Sequence, residues 1–547
     1  MTLLLSLVLG ALVGLVVVAF ILLTGRLAAR LYPPGGPGWK RLLMPVLGAT
    51  GSGYLLWRYF PGARGSGIPQ TKAAIFIEDG RIGLRTVVGK FFCCSTSLAS
   101  GIALGREGPS VHIGAGIASV VARNLGLGPK MVRAIVPAGC AAALAAAFNT
   151  PIAAVLFSLE EILGDLHAAV LGSVVISAAT SWMVLHLILG DDPLFHVAGY
   201  RLVHPAEALV YAVLGLAGGV VSAVFVKTLL WLRLLFRKLP KWSVWLQPAV
   251  GGLTVGLLGY FVPEVLGVGY GEVERVLNGE IVLQTVVALG LLKLVATTVC
   301  YSSGNAGGVF GPSLFIGAMT GAAVGGVAHG LFPAWTAGAG AYALVGMGAA
   351  FAGIIRSPMT SVIMIFEITR DYTIIVPLMI ANLISYFISR QLQEQPIYEA
   401  LAAQDGVHLP VRAAGESREV GDVMRPVPEE LLAGAAAGGA LRWLRETGVD
   451  AVPVLRGAGL VGLLREGELA VVAGEDRRLE ELLPAAGGVG QGIPHLHPDH
   501  SLSAALERFG TARCKVLAVV SRSHSGEVLG VVLLGDALRA YGLEVEA

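Results

Sequence analysis

The sequence predicts an all-α polytopic membrane domain, an inverted repeat with broken helices, followed by a small α/β tail. Three observations predict it. Of 547 residues, 55% are hydrophobic and 14% charged, and the mean hydropathy is +0.73. A soluble core could not hide that much apolar surface. Second, the chain repeats itself. Gly108-Pro109-Ser110-Val111-His112-Ile113-Gly114-Ala115 returns as Gly311-Pro312-Ser313-Leu314-Phe315-Ile316-Gly317-Ala318, offset by 203 residues (311 − 108). Third, the character changes after about residue 405, where charge rises and short β-like runs appear.

The repeat has a second echo. Ala146-Ala147-Phe148, then Pro151 and Glu160, is matched by Ala349-Ala350-Phe351, then Pro358 and Glu367. Related halves with Gly-Pro breaks in apolar sequence mark transporters built from repeats that meet at the bilayer midplane. The bulk numbers exclude other classes. A net charge of +2 without a basic run implies no nucleic-acid partner. Cys93, Cys94, Cys140, Cys300 and Cys514 have neither disulfide nor metal spacing. The first apolar stretch, 3–23, is long enough to span and lacks a basic leader, so no cleavable signal peptide is expected.

Taken in order, apolar stretches at 3–23, 168–189, 206–235, 245–262, 281–299, 342–352 and 372–388 read as membrane helices. Stretches at 87–105, 109–122, 132–148, 308–331 and 358–368 read as too short or too glycine-broken to span. Broken helices survive in a membrane only where protein or a wet cavity shields their ends, so they point to a binding site. Arg26, Arg30, Lys40 and Arg41 read as a loop after the first span. The domain limits read as 1–404 for the membrane part, then 418–473 and 490–543 for two small units. In the tail, runs at 451–455, 459–464, 515–520 and 528–534 read as strands, with helices at 437–447 and 501–510, an α/β unit used twice.

Three breaks share a design: Gly65-Ser66-Gly67-Ile68-Pro69, Gly105-Arg106-Glu107-Gly108-Pro109 and Gly307-Gly308-Val309-Phe310-Gly311-Pro312. Glycine allows a sharp turn, and proline suits the first turn of a helix. Each break reads as a helix N-terminus, with free N–H groups and partial positive charge. Three such ends converging would hold an anion without a fixed full charge, which would bind it too tightly for conduction. A carboxylate at Glu107 competes for that site. Charged it blocks; protonated it can swing away.

These motifs resemble the CLC family of chloride channels and chloride/proton exchangers, over nearly the whole chain. The resemblance implies a homodimer in the plasma or inner membrane with one chloride pathway per subunit and a cytoplasmic tail. It implies chloride binding by the Ser66 hydroxyl, the amides of Val309 and Phe310, and Tyr398 within Gln395-Pro396-Ile397-Tyr398. Unaided, Tyr398 reads as an interfacial aromatic. The backbone of Gly65, Gly67, Arg106, Gly108 and Gly308 would line the pathway. Glu107 matches the family's gating glutamate. Glu161 matches the internal proton glutamate of family exchangers, where channels carry an apolar residue. The resemblance therefore implies chloride/proton exchange, with a passive voltage- or pH-gated chloride channel as the alternative. Unaided, Glu107 reads as a partner for Arg106 and Glu161 as a solvated helix-end residue. An intramembrane enzyme or a ligand sensor would be rival classes; the membrane part carries no protease or P-loop motif. Ser66 matches the chloride-associated form of its motif; nitrate-preferring relatives carry proline there. Glu160 and Glu367 hold matching places, which suggests hydrogen bonding to exposed backbone.

The chain departs from the family at Gln70, where glutamate is common, and in starting its first span almost at Met1, which implies an altered dimer contact. The tail resembles tandem CBS domains, which can bind adenine nucleotides. The usual glycine, Thr/Ser, Asp pattern reads Gly462, Arg465, Glu468 in the first copy and Gly530, Leu533, Asp536 in the second. Only Asp536 survives as a nucleotide contact, so no cofactor is expected. His495, His497 and His500 lack the spacing of a metal site, and no metal is expected.

Overall fold

The computed structural model describes residues 2–33, 35–166, 170–197, 203–407, 419–472, 477–483, 493–521 and 527–541. It divides into two units, 1–409 and 410–547. The expected limits at 418, 473, 490 and 543 lie outside the described residues.

The first unit is helical. Its first half runs α1 (Thr2–Leu31), α2 (Gly38–Arg58), α3 (Ile68–Phe76), α4 (Leu84–Ala99), α5 (Glu107–Asn124), α6 (Pro129–Phe148), α7 (Pro151–Phe157) and α8 (Leu171–Leu189). The second runs α9 (Glu207–Arg237), α10 (Gln247–Phe261), α11 (Tyr270–Leu277), α12 (Leu283–Ser302), α13 (Phe310–Leu331), α14 (Ala339–Ile354), α15 (Pro358–Thr369) and α16 (Ile375–Leu392). α17 (Ile397–Gln404) closes the unit. Packing is mirrored between halves. α5 lies on α6 as α13 lies on α14, and α1 on α8 as α9 on α16. Small residues permit these approaches: a Cβ at Gly114 would meet the Gly139 carbonyl at 2.3 Å, and one at Gly317 the Gly346 carbonyl at 2.4 Å. At the centre, Gly105 and Gly308 form an antiparallel bridge, with N–H···O distances of 2.6 and 2.8 Å. Equivalent segments pairing antiparallel is what a two-fold axis between the halves requires.

Seven helices among the described residues are long and apolar enough to cross a bilayer. Two sequence expectations need correction. The four basic residues do not sit in a loop: Arg26 and Arg30 ride on α1, while Lys40 and Arg41 lie in the first turn of α2. That helix is glycine-rich with an internal Pro45, so its sequence lacks a helical apolar signal. Nor are 132–148 and 308–331 too short. α6 and α13 are 20 and 22 residues, and their glycines serve packing rather than breakage. The short members are α3, α7, α11, α15 and α17, of 9, 7, 8, 12 and 8 residues.

The tail unit repeats helix–strand–strand–helix. The first copy has α18 (Ala437–Thr447), β1 (Ala451–Arg456), β2 (Gly459–Arg465) and α19 (Glu466–Val472). β3 (His495–Leu496) precedes the second, with α20 (Leu502–Ala512), β4 (Val516–Val520), β5 (Val528–Leu533) and α21 (Leu534–Tyr541). Each strand pair is antiparallel, with a bulge at Val454/Leu455 and again at Val519/Val520. One apolar core joins the copies: Val452 and Leu464 pack with Ala518 and Val531.

Candidate functional site

The breaks converge. A Cβ at Gly67 would lie 2.7 Å from the Gly108 carbonyl, and one at Gly308 would lie 3.3 Å from the Gly108 Cα. Gly65 and Gly67 turn at φ of 86° and 106°, which favours glycine. The N-termini of α3, α5 and α13 therefore meet at one point, backbone against backbone. No side chain larger than hydrogen fits between them.

Glu107 is wholly buried in the first turn of α5. Its carboxylate accepts the Gly311 amide of α13 at 3.2 Å and the hydroxyl of Tyr270. It thus lies across the ends of two equivalent helices. Arg106 is a looser neighbour, with Nε 3.8 Å away and its guanidinium over the Tyr270 ring at 5.4 Å. Phe310 is buried among three rings, with centroids 4.9 Å from Phe148, 5.7 Å from Phe157 and 4.5 Å from Phe351. The Ala-Ala-Phe echo of the sequence thus supplies two walls around one residue.

Ser66 and Tyr398 are buried, and their hydroxyls have no protein hydrogen-bond partner. A buried hydroxyl without a partner costs about 1–3 kcal/mol, which a bound anion would offset. α17 packs on α3, the helix that Ser66 precedes, and Tyr398 lies within electrostatic range of Glu107 and Glu161. A cleft of about 460 Å³ opens beside Gly65, lined in part by Arg64, Arg233, Arg237 and Lys241.

A wide π-type turn, Ser158–Leu163, follows α7. The extra residue per turn lets adjacent Glu160 and Glu161 both face inward, 7% and 5% exposed. They do different things. Glu161 is not a solvated helix-end group: Lys72 Nζ is 2.9 Å from it, and the Ser357 hydroxyl donates to it at 3.1 Å. Glu160 accepts from the amides of Met359 and Thr360, at 3.2 and 2.7 Å, so it caps α15. Reciprocally, Glu367 accepts from Ile152 and Ala153, at 3.0 and 2.7 Å, and caps α7. Each half caps the other's short helix.

Sequence reasoning missed three groups. Tyr270 follows a fourth break, Gly267-Val268-Gly269, which trails Gly65-Ser66-Gly67 by 202 residues (267 − 65). Lys90 donates to the carbonyls of Ala63 and Gly65, and Lys293 to those of Val265 and Gly267. These two buried lysines pin the equivalent breaks, and their own offset of 203 (293 − 90) was the available signal. Lys72 carried no such echo. In the tail, Asp536 is taken up by Arg425, at 2.6 and 2.8 Å, and by Arg539 at 2.6 Å. His495 and His497 bond to the Ile493 and Val520 carbonyls, and the His500 ring accepts the His497 amide.

Residues 47–390 match the family model for voltage gated chloride channels, and 491–543 match that of the CBS domain. The chain belongs to the CLC family. It is an integral membrane protein of a transport family, not an enzyme. It is 33% identical over 383 residues to a putative chloride channel protein ClcB-like of Ralstonia nicotianae, covering 68% of this chain and 89% of the relative. It is 32% identical over 354 residues to the H(+)/Cl(-) exchange transporter ClcA of Vibrio campbellii, covering 64% and 76%. Among solved structures, a slow cyanobacterial Cl-/H+ antiporter matches with a TM-score of 0.68 at 25% identity, over 74% of this chain and 97% of that one. A eukaryotic CLC transporter shares the fold over 98% of this chain and 97% of that one, with a TM-score of 0.63 and 21% identity.

Proposed function

We propose that this CLC protein exchanges chloride for protons, with Glu107 as the gate and Glu161 as the internal proton stop. The observation that carries the reading is the Glu107 carboxylate seated on the Gly311 amide. It occupies a helix end that an anion would use, so chloride and carboxylate compete. Protonation removes the charge that holds it there. Chloride then sits against the Ser66 and Tyr398 hydroxyls and the amides of Val309 and Phe310. Gly65, Gly67, Arg106, Gly108 and Gly308 line its route. Burial of Glu161 supports a second titratable stop, since an intramembrane carboxylate is expensive unless used. Relatives named as exchangers support the same reading.

The protein works as a homodimer, with the tail in the cytoplasm. The tail's role is structural: arginines already fill Asp536, which supports an absence of nucleotide. The domain assignment we propose is 1–404, 418–473 and 490–543.

The test is proton movement in liposomes under a chloride gradient with the voltage clamped to zero. Uphill proton movement that disappears in Glu107→Ala and Glu161→Ala, while chloride flux persists, is the expected result. Chloride flux without proton movement in the unmodified protein would make it a passive channel.

A further inference from the structure

Glu161 is only 5% exposed, so its carboxylate is largely shielded from bulk water. Its neighbour Lys72, on α3, is also buried, with 9% of its side chain exposed. The ammonium does not face one carboxylate but two. Glu161 lies 2.9 Å away, and Glu399, on α17, lies 3.7 Å away on the same nitrogen. Glu399 differs from the others in being 26% exposed. The three groups step outward from a dry carboxylate, through a lysine, to a wet carboxylate. Other groups in range include the Ser357 hydroxyl on Glu161, Tyr398, whose phenol feels the Glu161 charge, and Arg356, which feels that of Glu399.

We propose that Glu399, Lys72 and Glu161 form a proton relay, with Glu399 as the water-facing entry. The inference rests on the exchange reading and supplies its missing first step. The Lys72 ammonium gives one proton to the Glu161 carboxylate and becomes a neutral amine. That amine takes a proton from the protonated Glu399 carboxyl and is an ammonium again. A hydronium ion from solvent reprotonates Glu399 and leaves as water, so one solvent proton has moved inward and every group but Glu161 is restored. The reverse sequence returns it. The gap to Glu399 closes by a small rotation of the lysine side chain, whose four-carbon stem permits it. Lysine suits this task and arginine does not, because a guanidinium does not give up its proton. Glu399 also follows Tyr398 directly, so one turn of α17 carries a group of the anion site and a group of the relay.

A static ion pair would need only the charge at position 72. Lys72→Arg keeps that charge and removes the transfer. In liposomes, Lys72→Arg should keep chloride flux and lower proton flux by at least about tenfold. Glu399→Gln should lower proton flux as well, and Glu399→Asp should restore part of it. Wild-type proton-to-chloride ratios in Lys72→Arg or in Glu399→Gln would overturn the relay. If Lys72→Arg loses both fluxes, the partly exposed Glu399→Gln decides. Failure of the exchange reading is distinguishable, since the unmodified protein would then move no protons at all.

Discussion

Reciprocal capping makes Glu160→Ala a sharp test of how the two halves hold together. Glu160 accepts from the Thr360 amide and hydroxyl, each at 2.7 Å, and from the Met359 amide at 3.2 Å. Thr360 is fully buried, so its amide and hydroxyl would lose their partner without gaining water. A hydrogen bond to a charged group contributes about 1.5–3 kcal/mol, which puts the two Thr360 bonds at about 3–6 kcal/mol. With the unfolding entropy usual per residue for a unit of this size, the midpoint should fall by about 4–7 °C. Glu367→Ala should cost less, about 2–3 kcal/mol, because it makes two such bonds and one serves exposed Ile152. Gln at either position keeps one good acceptor and should recover more than half. The assay is thermal unfolding of the purified protein in detergent, followed by tryptophan fluorescence, beside liposome flux on the same preparations. An unchanged midpoint in Glu160→Ala would refute the capping argument. So would loss of proton movement at an unchanged midpoint, which would make Glu160 a transport group.

Two further outcomes follow from the same geometry. Under the proposed gating, Tyr270→Phe removes a donor to the Glu107 carboxylate, so Glu107 should leave its seat more readily and chloride flux at neutral pH should rise by about tenfold or more, one charge-assisted bond; an unchanged flux in the liposome assay would count against gating by Glu107. In the tail, burial alone would push the Asp536 carboxyl up, but bonds from Arg425 and Arg539 outweigh it and hold it below the usual carboxylate range. A depressed folded value means stability present above the unfolded value near about 4 and lost as pH falls through the folded one. Both arginines are largely exposed, so the contribution is about 1 kcal/mol. The protection factor at the Arg425–Val531 backbone pair, corrected for the intrinsic pH dependence of amide exchange, should fall on acidification below that value, and Asp536→Asn should show the lower protection already and lose the acid response.

Legibility in the sequence followed the type of signal each element carries. The tail's strands and helices were readable to within about two residues, because alternating apolar runs and turn glycines are local signals. The three Gly-Pro breaks were readable because a sharp turn at a helix start demands particular residues. α2 was not. Its apolar positions are diluted by Gly48, Gly51 and Gly53, where Gly48 and Gly53 face Ser100 and Pro248 at less than a Cβ's distance. Glycine chosen for close packing looks the same in sequence as glycine chosen for a turn.

The candidate site divides along the same line. Ser66, Glu107 and Phe310 sit in motifs with their own backbone logic. Lys72 and Tyr270 do not; they matter through partners 89 and 163 residues away in sequence. Yet one long-range signal was open to inspection. The 203-residue offset that links the two Gly-Pro motifs also links Lys90 to Lys293, and a 202-residue offset links the first break to the one before Tyr270. A repeat folded about a two-fold axis converts such offsets into spatial statements, because equivalent residues must approach the axis together. Lys72 breaks that symmetry: its equivalent position in the second half, Glu274 by the 202-residue offset, reaches His196 instead of a buried carboxylate. Chemistry that must run in one half only has to be written where the repeat fails. That is why the buried Lys72–Glu161 pair, rather than any echoed residue, carries the argument for a directional proton path.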